Sequence, residues 1–386
     1  MITFPPPAFA AADLPELLQP VLEEYREAAR RNRRLPDELI DRLRALGAFR
    51  LSTPRELGGH ELPLTASLDV LRRLARLDPT VTWNICILNA GFTAGFLEDA
   101  AVGQIWSAGP DPLIASSGAP GRLQICDEGY LLSGEWKMVT AVDAADWLAL
   151  ISVLDPPTTE PADVAARETR ACFVPRDAVT VQETWHTFGL RGTNSNTVIL
   201  NGLPVPAEMT LPFPAEPRID RALYRIPFLH IAYSTIAALA LGIAQSAVDE
   251  LIEPASAEKG ADGQPLTHEP RFQALIGRST ARLGAATGYL LETAGELDRI
   301  AEARESPGEA ERGALRGAAC LAGETARDVL VAAFEAGSSS PIYQSSRLGQ
   351  IFLDGMVAVQ HVNVATADYE LAGRTALGLP ANTDFV

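Results

Sequence analysis

The chain has 386 residues, which at about 100–200 residues per domain points to more than one structural unit. Apolar residues make up 47% and charged residues 21%, so sizeable cores can form and a disordered chain is excluded. The 32 Lys and Arg against 49 Asp and Glu leave a net charge of −17 with no basic cluster, which argues against nucleic acid or an anionic membrane as partner.

The first residues, Met1 to Ala12, lack a basic segment and carry three consecutive prolines, so they do not read as a secretory signal. From there to about residue 110 the pattern is helical. Leu14 to Arg33 has apolar positions at helical spacing, and Pro36 opens a turn leading to Leu39, Leu43 and Leu46, with Gly47 at a helix end. Pro63–Leu77 and Val81–Phe96 continue the pattern.

Between about Leu113 and Ala215 the texture becomes β-rich. Short apolar runs (Tyr130–Leu132, Trp147–Val153, Ala171–Val174, Val179–Val181, Thr197–Leu200) alternate with Gly, Pro and Asp. Asn201-Gly202 directly after such a run reads as a turn.

From Glu216 onward helices return. Leu283, Ala286, Leu290, Ala294 and Leu297 mark one stripe, and Leu321, Thr325, Val329 and Ala333 another; Ser256–Pro270 reads as a polar loop. Ile226–Val248 is apolar enough to span a bilayer, but its Ala-rich centre, its Ser, Thr and Gln residues and its lack of a basic flank predict a buried bundle helix instead. The expected fold class is α+β in three pieces: a helical domain (1–112), a β domain (113–215) and a helical bundle (216–386).

The common catalytic motifs are absent: no P-loop, no GxGxxG, no HExxH, no GxSxG. The five histidines show no metal-ligand spacing, so no metal is expected. Cys86, Cys126, Cys172 and Cys320 show no CxxC spacing, which fits a reducing, cytoplasmic setting.

More telling are polar residues that break apolar patterns. Trp83, Asn84 and Asn89 interrupt the Val81–Phe96 segment, either as satisfied structural groups or as pocket lining. Gly337-Ser338-Ser339-Ser340-Pro341 is either a helix-terminating loop or a cluster of donors for a cofactor. Asp354 and His361, seven residues apart on a predicted helix, would share nearly one face two turns apart.

Four passages make the chain resemble the acyl-CoA dehydrogenase fold, and within it the two-component monooxygenases that use reduced flavin. They are Gly129–Trp136 with Met138-Val139-Thr140 and Ala145-Asp146-Trp147; Trp185 with Gly189-Leu190-Arg191-Gly192-Thr193 and Ser195, ending at Val205-Pro206; Ala336-Gly337-Ser338-Ser339; and Asp354 with His361 ahead of Ala372-Gly373-Arg374. The resemblance covers about Leu14 to Pro380. It departs from the family pattern where Leu353 replaces an Arg before Asp354, and where Leu88 or Asn89 replaces a pocket His.

The resemblance implies an N-terminal helical domain, a central β-barrel-like domain and a C-terminal four-helix bundle. It implies reduced flavin (FMNH2 or FADH2) as cofactor, supplied by a separate NAD(P)H:flavin reductase. Oxygen would then be transferred to a small aromatic or natural-product substrate through a hydroperoxide at the flavin C4a carbon. It also implies a homotetramer. Carried over residue by residue, Ser116, Gly118, Met138, Val139, Thr140, Gly337, Ser338 and Ser339 would contact the flavin, the Thr140 hydroxyl near its O4 or N5. Thr140, Asn89 and His361 would act in catalysis, His361 as an acid or base near imidazole's ordinary pKa of about 6.5. An acyl-CoA dehydrogenase-type desaturase and a redox-dead homologue are the alternatives. The absence of Asp and Glu between Asp354 and Asp368 counts against the desaturase, which needs a carboxylate base.

Overall fold

The computed structural model describes residues 2–127, 129–155, 168–258, 260 and 263–381; part of the predicted 256–270 loop lies outside them. Five α-helices lead: α1 (Leu14–Asn32), α2 (Asp37–Ala45), α3 (Leu64–Leu77), α4 (Pro79–Leu88) and α5 (Asp99–Ile105). The α1 stripe Leu14, Leu18, Leu22 and Ala29 is buried, and the helix ends where Arg33 turns left-handed at φ 58°. Asp78 caps α4, its Oδ1 accepting from the Val81 N–H at 3.0 Å, with Pro79 at the first helical position.

The α4 segment is shorter than its apolar pattern predicts. It stops at Leu88, and Ala90–Gly95 continues as a 3-10 turn. The reason is Asn89, whose Nδ2 donates to Ile85 O at 3.0 Å and to Ala48 O at 2.8 Å, while its Oδ1 accepts from the Leu51 N–H at 2.7 Å. A side chain that bonds the backbone of two segments competes with helix continuation.

Seven strands follow: β1 (Ile114–Cys126), β2 (Gly129–Val139), β3 (Trp147–Leu154), β4 (Thr169–Pro175), β5 (Thr180–Gln182), β6 (Asn196–Pro206) and β7 (Thr210–Phe213). They form one sheet in the order β5-β6-β2-β1-β3-β4-β7, with β1 antiparallel to β2 and parallel to β3. Asn201-Gly202 is not a hairpin turn. β6 runs through it, pairing Leu200 with Gly134 and Leu203 with Leu132, so two residues oppose Ser133 alone. This is a bulge: Gly202 takes φ 70°, which glycine adopts freely, and its N–H donates to Ser133 Oγ at 2.8 Å.

The C-terminal helices are α6 (Ala222–Arg225), α7 (Phe228–Ile252), α8 (Pro270–Glu302), α9 (Glu309–Ala336), α10 (Arg347–Ala358) and α11 (Tyr369–Ala376). Helix α7 is long and apolar enough to cross a membrane. Yet 78% of its most apolar window is buried, against α3, α8, α9 and α10. The predicted stripes meet it: Leu283, Leu290 and Leu297 from α8, and Val329 and Ala333 from α9, join one core with Ile236, Leu239 and Ile243. Helix α10 ends at Ala358, so His361 lies beyond it in extended backbone (φ −66°, ψ 137°) and does not share a helical face with Asp354.

The α7–α9 interface buries His230, whose ring nitrogens find no hydrogen-bond partner among the described residues and which faces Tyr233 at 5.1 Å between rings. Burial first, then Arg312 and Arg316, pushes its pKa down to about 3. An unfolded chain takes up that proton near imidazole's ordinary value of about 6.5, so stability is lost as pH falls from there toward the folded value. The melting temperature of His230→Phe should therefore drop less than that of the native protein between pH 7 and pH 5. Equal drops in the two proteins would contradict this.

Candidate functional site

The β1–β2 pair lays out one face of the site. The Ser117 hydroxyl donates to Lys137 O at 2.9 Å, so Ser116 and Gly118 on β1 lie beside Met138, Val139 and Thr140 at the end of β2. Met138 takes a left-handed φ of 57° and is 66% exposed, although apolar, while Val139 is fully buried beneath it. A Cβ at Gly118 would meet nothing within 4 Å, and Ser116 is half-buried. Met138 is thus an exposed apolar side chain on this face, and the buried Thr140 hydroxyl follows it at the end of β2.

Thr140 is buried and engaged. The indole N–H of Trp83 on α4 donates to its Oγ1 at 3.2 Å, and Ser195 Oγ lies 2.9 Å away. Ser195 in turn contacts Thr193 Oγ1 at 2.8 Å, and Thr193 Oγ1 donates to Leu190 O at 2.9 Å. The Trp83 ring also meets His361 edge to face, with centroids 5.6 Å apart. Three distant segments thus converge: the end of β2, helix α4 and the turn after α10.

His361 is held by its own turn. The Asn363 N–H donates to Nδ1 at 3.2 Å, which leaves the neutral ring's proton on Nε2. Surrounding protein, and then Arg316, push its pKa down to about 4. The ordinary imidazole value therefore does not apply, and near pH 7 the ring is a neutral donor through Nε2. Arg316 also donates to Asn363 O at 2.8 Å and pairs with Asp368, which fixes the turn.

The 189–195 loop is anchored on α10. The Asp354 carboxylate accepts from the Leu190 N–H at 2.6 Å, and burial raises its pKa to about 7. A Cβ at Gly189 would stand 2.0 Å from Leu353 O, so only glycine permits this approach. Beside it lies a narrow groove lined by Arg26, Arg30, Asp78, Arg191, Arg347 and Asp354, and by neither Thr140, Trp83 nor His361.

Two of the sequence candidates fall elsewhere. All three polar contacts of the Asn89 side chain go to backbone, which is the arrangement of a structural amide that ends α4. Gly337, Ser338 and Ser339 directly follow α9, with Gly337 as its C-terminal cap, and a Cβ on Gly337 would meet Pro341 and Leu348. In the sequence Trp83 shows only as a polar interruption and Thr193 and Ser195 only as part of the family motif; their hydrogen-bonded chain depends on tertiary contacts. Burial pushes Cys172 up to about 12, which removes it as a nucleophile. Among the described residues, no three His, Cys, Asp or Glu side chains converge to hold a metal.

Two sequence models of one family match: the acyl-CoA dehydrogenase N-terminal domain over residues 12–99 and the C-terminal domain over 234–366, together more than half the chain. The chain belongs to the acyl-CoA dehydrogenase family. Within this family, the indole-3-acetate monooxygenase of Pseudomonas putida is 26% identical over 96% of each chain. The flavin-dependent monooxygenase oxygenase subunit HsaA of Rhodococcus jostii is 26% identical over 96% of this chain and 99% of its own. Among solved structures, XiaF from a Streptomyces species, in complex with FADH2 and glycerol, superposes with a TM-score of 0.89 at 24% identity over 96% of each chain.

The assignment of Asn89 to structure gives a direct check. Asn89→Ala leaves the Ala48 carbonyl and the Leu51 N–H without their partner, so stability should fall by roughly 1–3 kcal/mol in urea unfolding. Flavin affinity of the folded variant should be unchanged; a specific loss of binding with native stability would return Asn89 to the site.

Proposed function

We propose that this chain is the oxygenase component of a two-component flavin-dependent monooxygenase, supplied with reduced flavin by a separate reductase and acting on a small aromatic substrate. The observation that carries this is the convergence of Thr140, Trp83 and His361 beside the exposed Met138. The names of its relatives support the same reading.

The surface fits the flavin's tricyclic ring on its chemistry. Met138 with the small Ser116 and Gly118 offers an apolar face to a planar ring, and Thr140 meets a polar ring edge. When bound, reduced flavin supplies the electrons that activate O2 and the means to pass one oxygen atom to substrate. The residues here orient and exclude water. Val139 and Trp83 close the inner side, and the neutral His361 offers Nε2–H as a donor without carrying a proton that would be released. A charged acid at this point would promote loss of hydrogen peroxide, so a low imidazole pKa favours coupling.

A desaturase would need a carboxylate in this position. Asp354 and Asp368, each seven residues from His361, are spent on the Leu190 N–H and on Arg316, and the residue beside Trp83 is an imidazole.

His361→Ala should bind reduced flavin as the native chain does. Losing one hydrogen-bond donor, worth about 0.5–1.5 kcal/mol, should cut substrate oxygenated per flavin oxidised by roughly 2–10-fold and raise peroxide release. Native coupling in this variant, measured with a phenol or indole substrate that the native chain oxygenates, would remove His361 from the reaction. For the native chain, the coupling ratio should stay flat from pH 8 to pH 6, because the imidazole titrates at about 4. An inflection near 6.5 that is absent in His361→Ala would contradict the neutral-donor role.

A further inference from the structure

Three hydroxyls stand in series between Thr140 and a backbone carbonyl, and their protons can be counted. Thr193 Oγ1 lies 2.9 Å from Leu190 O. Two oxygens this close need a hydrogen between them, and a carbonyl has none, so the Thr193 proton is there. Ser195 Oγ lies 2.8 Å from Thr193 Oγ1, whose own proton is used, so the Ser195 proton fills that gap. Thr140 Oγ1 lies 2.9 Å from Ser195 Oγ, and by the same step the Thr140 proton points at Ser195. All three side chains are at least 96% buried, so bulk water does not intrude to reverse the chain.

The consequence falls on the outer end. Thr140 spends its only proton on Ser195 and one lone pair on the Trp83 indole N–H. What remains is one lone pair: the Thr140 hydroxyl can accept a further hydrogen bond and cannot donate one. A reduced flavin carries hydrogen on N5 and presents a donor there. An oxidised flavin presents a bare N5 lone pair, and its O4 is an acceptor in either state. Two acceptors forced together in a buried site repel, and neither recovers its lost water.

From this we infer that Ser195 and Thr193 are positioning residues that set the site's preference for reduced flavin, by holding the Thr140 hydroxyl as a pure acceptor toward N5–H. The inference rests on the flavin site proposed above. It narrows the sequence expectation that the Thr140 hydroxyl lies near the flavin O4 or N5. Tighter binding of the reduced form also raises the reduction potential of the bound flavin above that of free flavin.

The test compares dissociation constants of FMN and FAD, reduced under anaerobic conditions and oxidised in air, for the native chain and three variants. In Ser195→Ala the acceptor for the Thr140 proton is gone, and the hydroxyl is free to turn toward the flavin. In Thr193→Val the Ser195 proton loses its acceptor and turns to Thr140, which releases the Thr140 proton in the same way. Both variants should lower the oxidised-to-reduced ratio of dissociation constants by about tenfold or more, the scale of one hydrogen bond made or opposed. The potential of the bound flavin should fall with it. Trp83→Phe removes a donor from Thr140 without changing where its proton goes, so the ratio should hold. Flavin binding with an unchanged ratio in folded Ser195→Ala and Thr193→Val would overturn the inference and leave the flavin site standing. A native chain that binds flavin in neither redox state would overturn both.

Discussion

The hydrogen bond from the Leu190 N–H to the Asp354 carboxylate, 2.6 Å long, joins the sheet to the helical bundle at the point on which the site depends. Burying a carboxyl group is costly unless its lone pairs are met, and here burial lifts the pKa to about 7 while Arg347 and Arg30 pull the other way. The bond persists in either protonation state because the carboxyl oxygen accepts in both. Its effect is positional. With Leu190 fixed at φ 47° and Asn194 at φ 50°, the loop between them hands its Thr193 and Ser195 hydroxyls inward to Thr140. The Leu190 carbonyl, which also accepts from the Trp185 indole at 2.9 Å, ends that chain.

Around this junction the charges are arranged so that the reacting surface itself is neutral. The ionic groups sit in the neighbouring groove, where Arg26 pairs with Asp78 at 3.1 Å, and in the Arg316–Asp368 pair behind His361. Between them lie an indole, an imidazole held neutral and three hydroxyls. Such a site offers direction without proton traffic, which suits oxygen chemistry that fails when water or a stray acid enters.

Much of the fold was legible because its signals are local. Apolar stripes at helical spacing gave α1, α3, α8 and α9, Pro36 and Pro63 marked helix starts, and the polar interruptions in α7 told a buried helix from a spanning one. Where a side chain bonded the backbone instead, periodicity misled: Asn89 stopped α4, and Gly202 absorbed a bulge inside β6. The site was half legible for the same reason. Thr140 and His361 stood out by resemblance, but their link runs through the Trp83 indole, and no spacing connects residues 83, 140, 195 and 361. The sense of the hydroxyl chain is less visible still, since it follows from three distances and a proton count.

The central claim, that reduced flavin lies on the Met138 surface between Thr140 and His361, is tested most directly by a crystal structure of the full chain grown and soaked anaerobically with reduced flavin. The expected result places the ring over Met138 with N5 within hydrogen-bonding distance of Thr140 Oγ1, and with His361 Nε2 turned toward the same ring. A flavin bound elsewhere, or one that leaves Thr140 and His361 without contact, would contradict it.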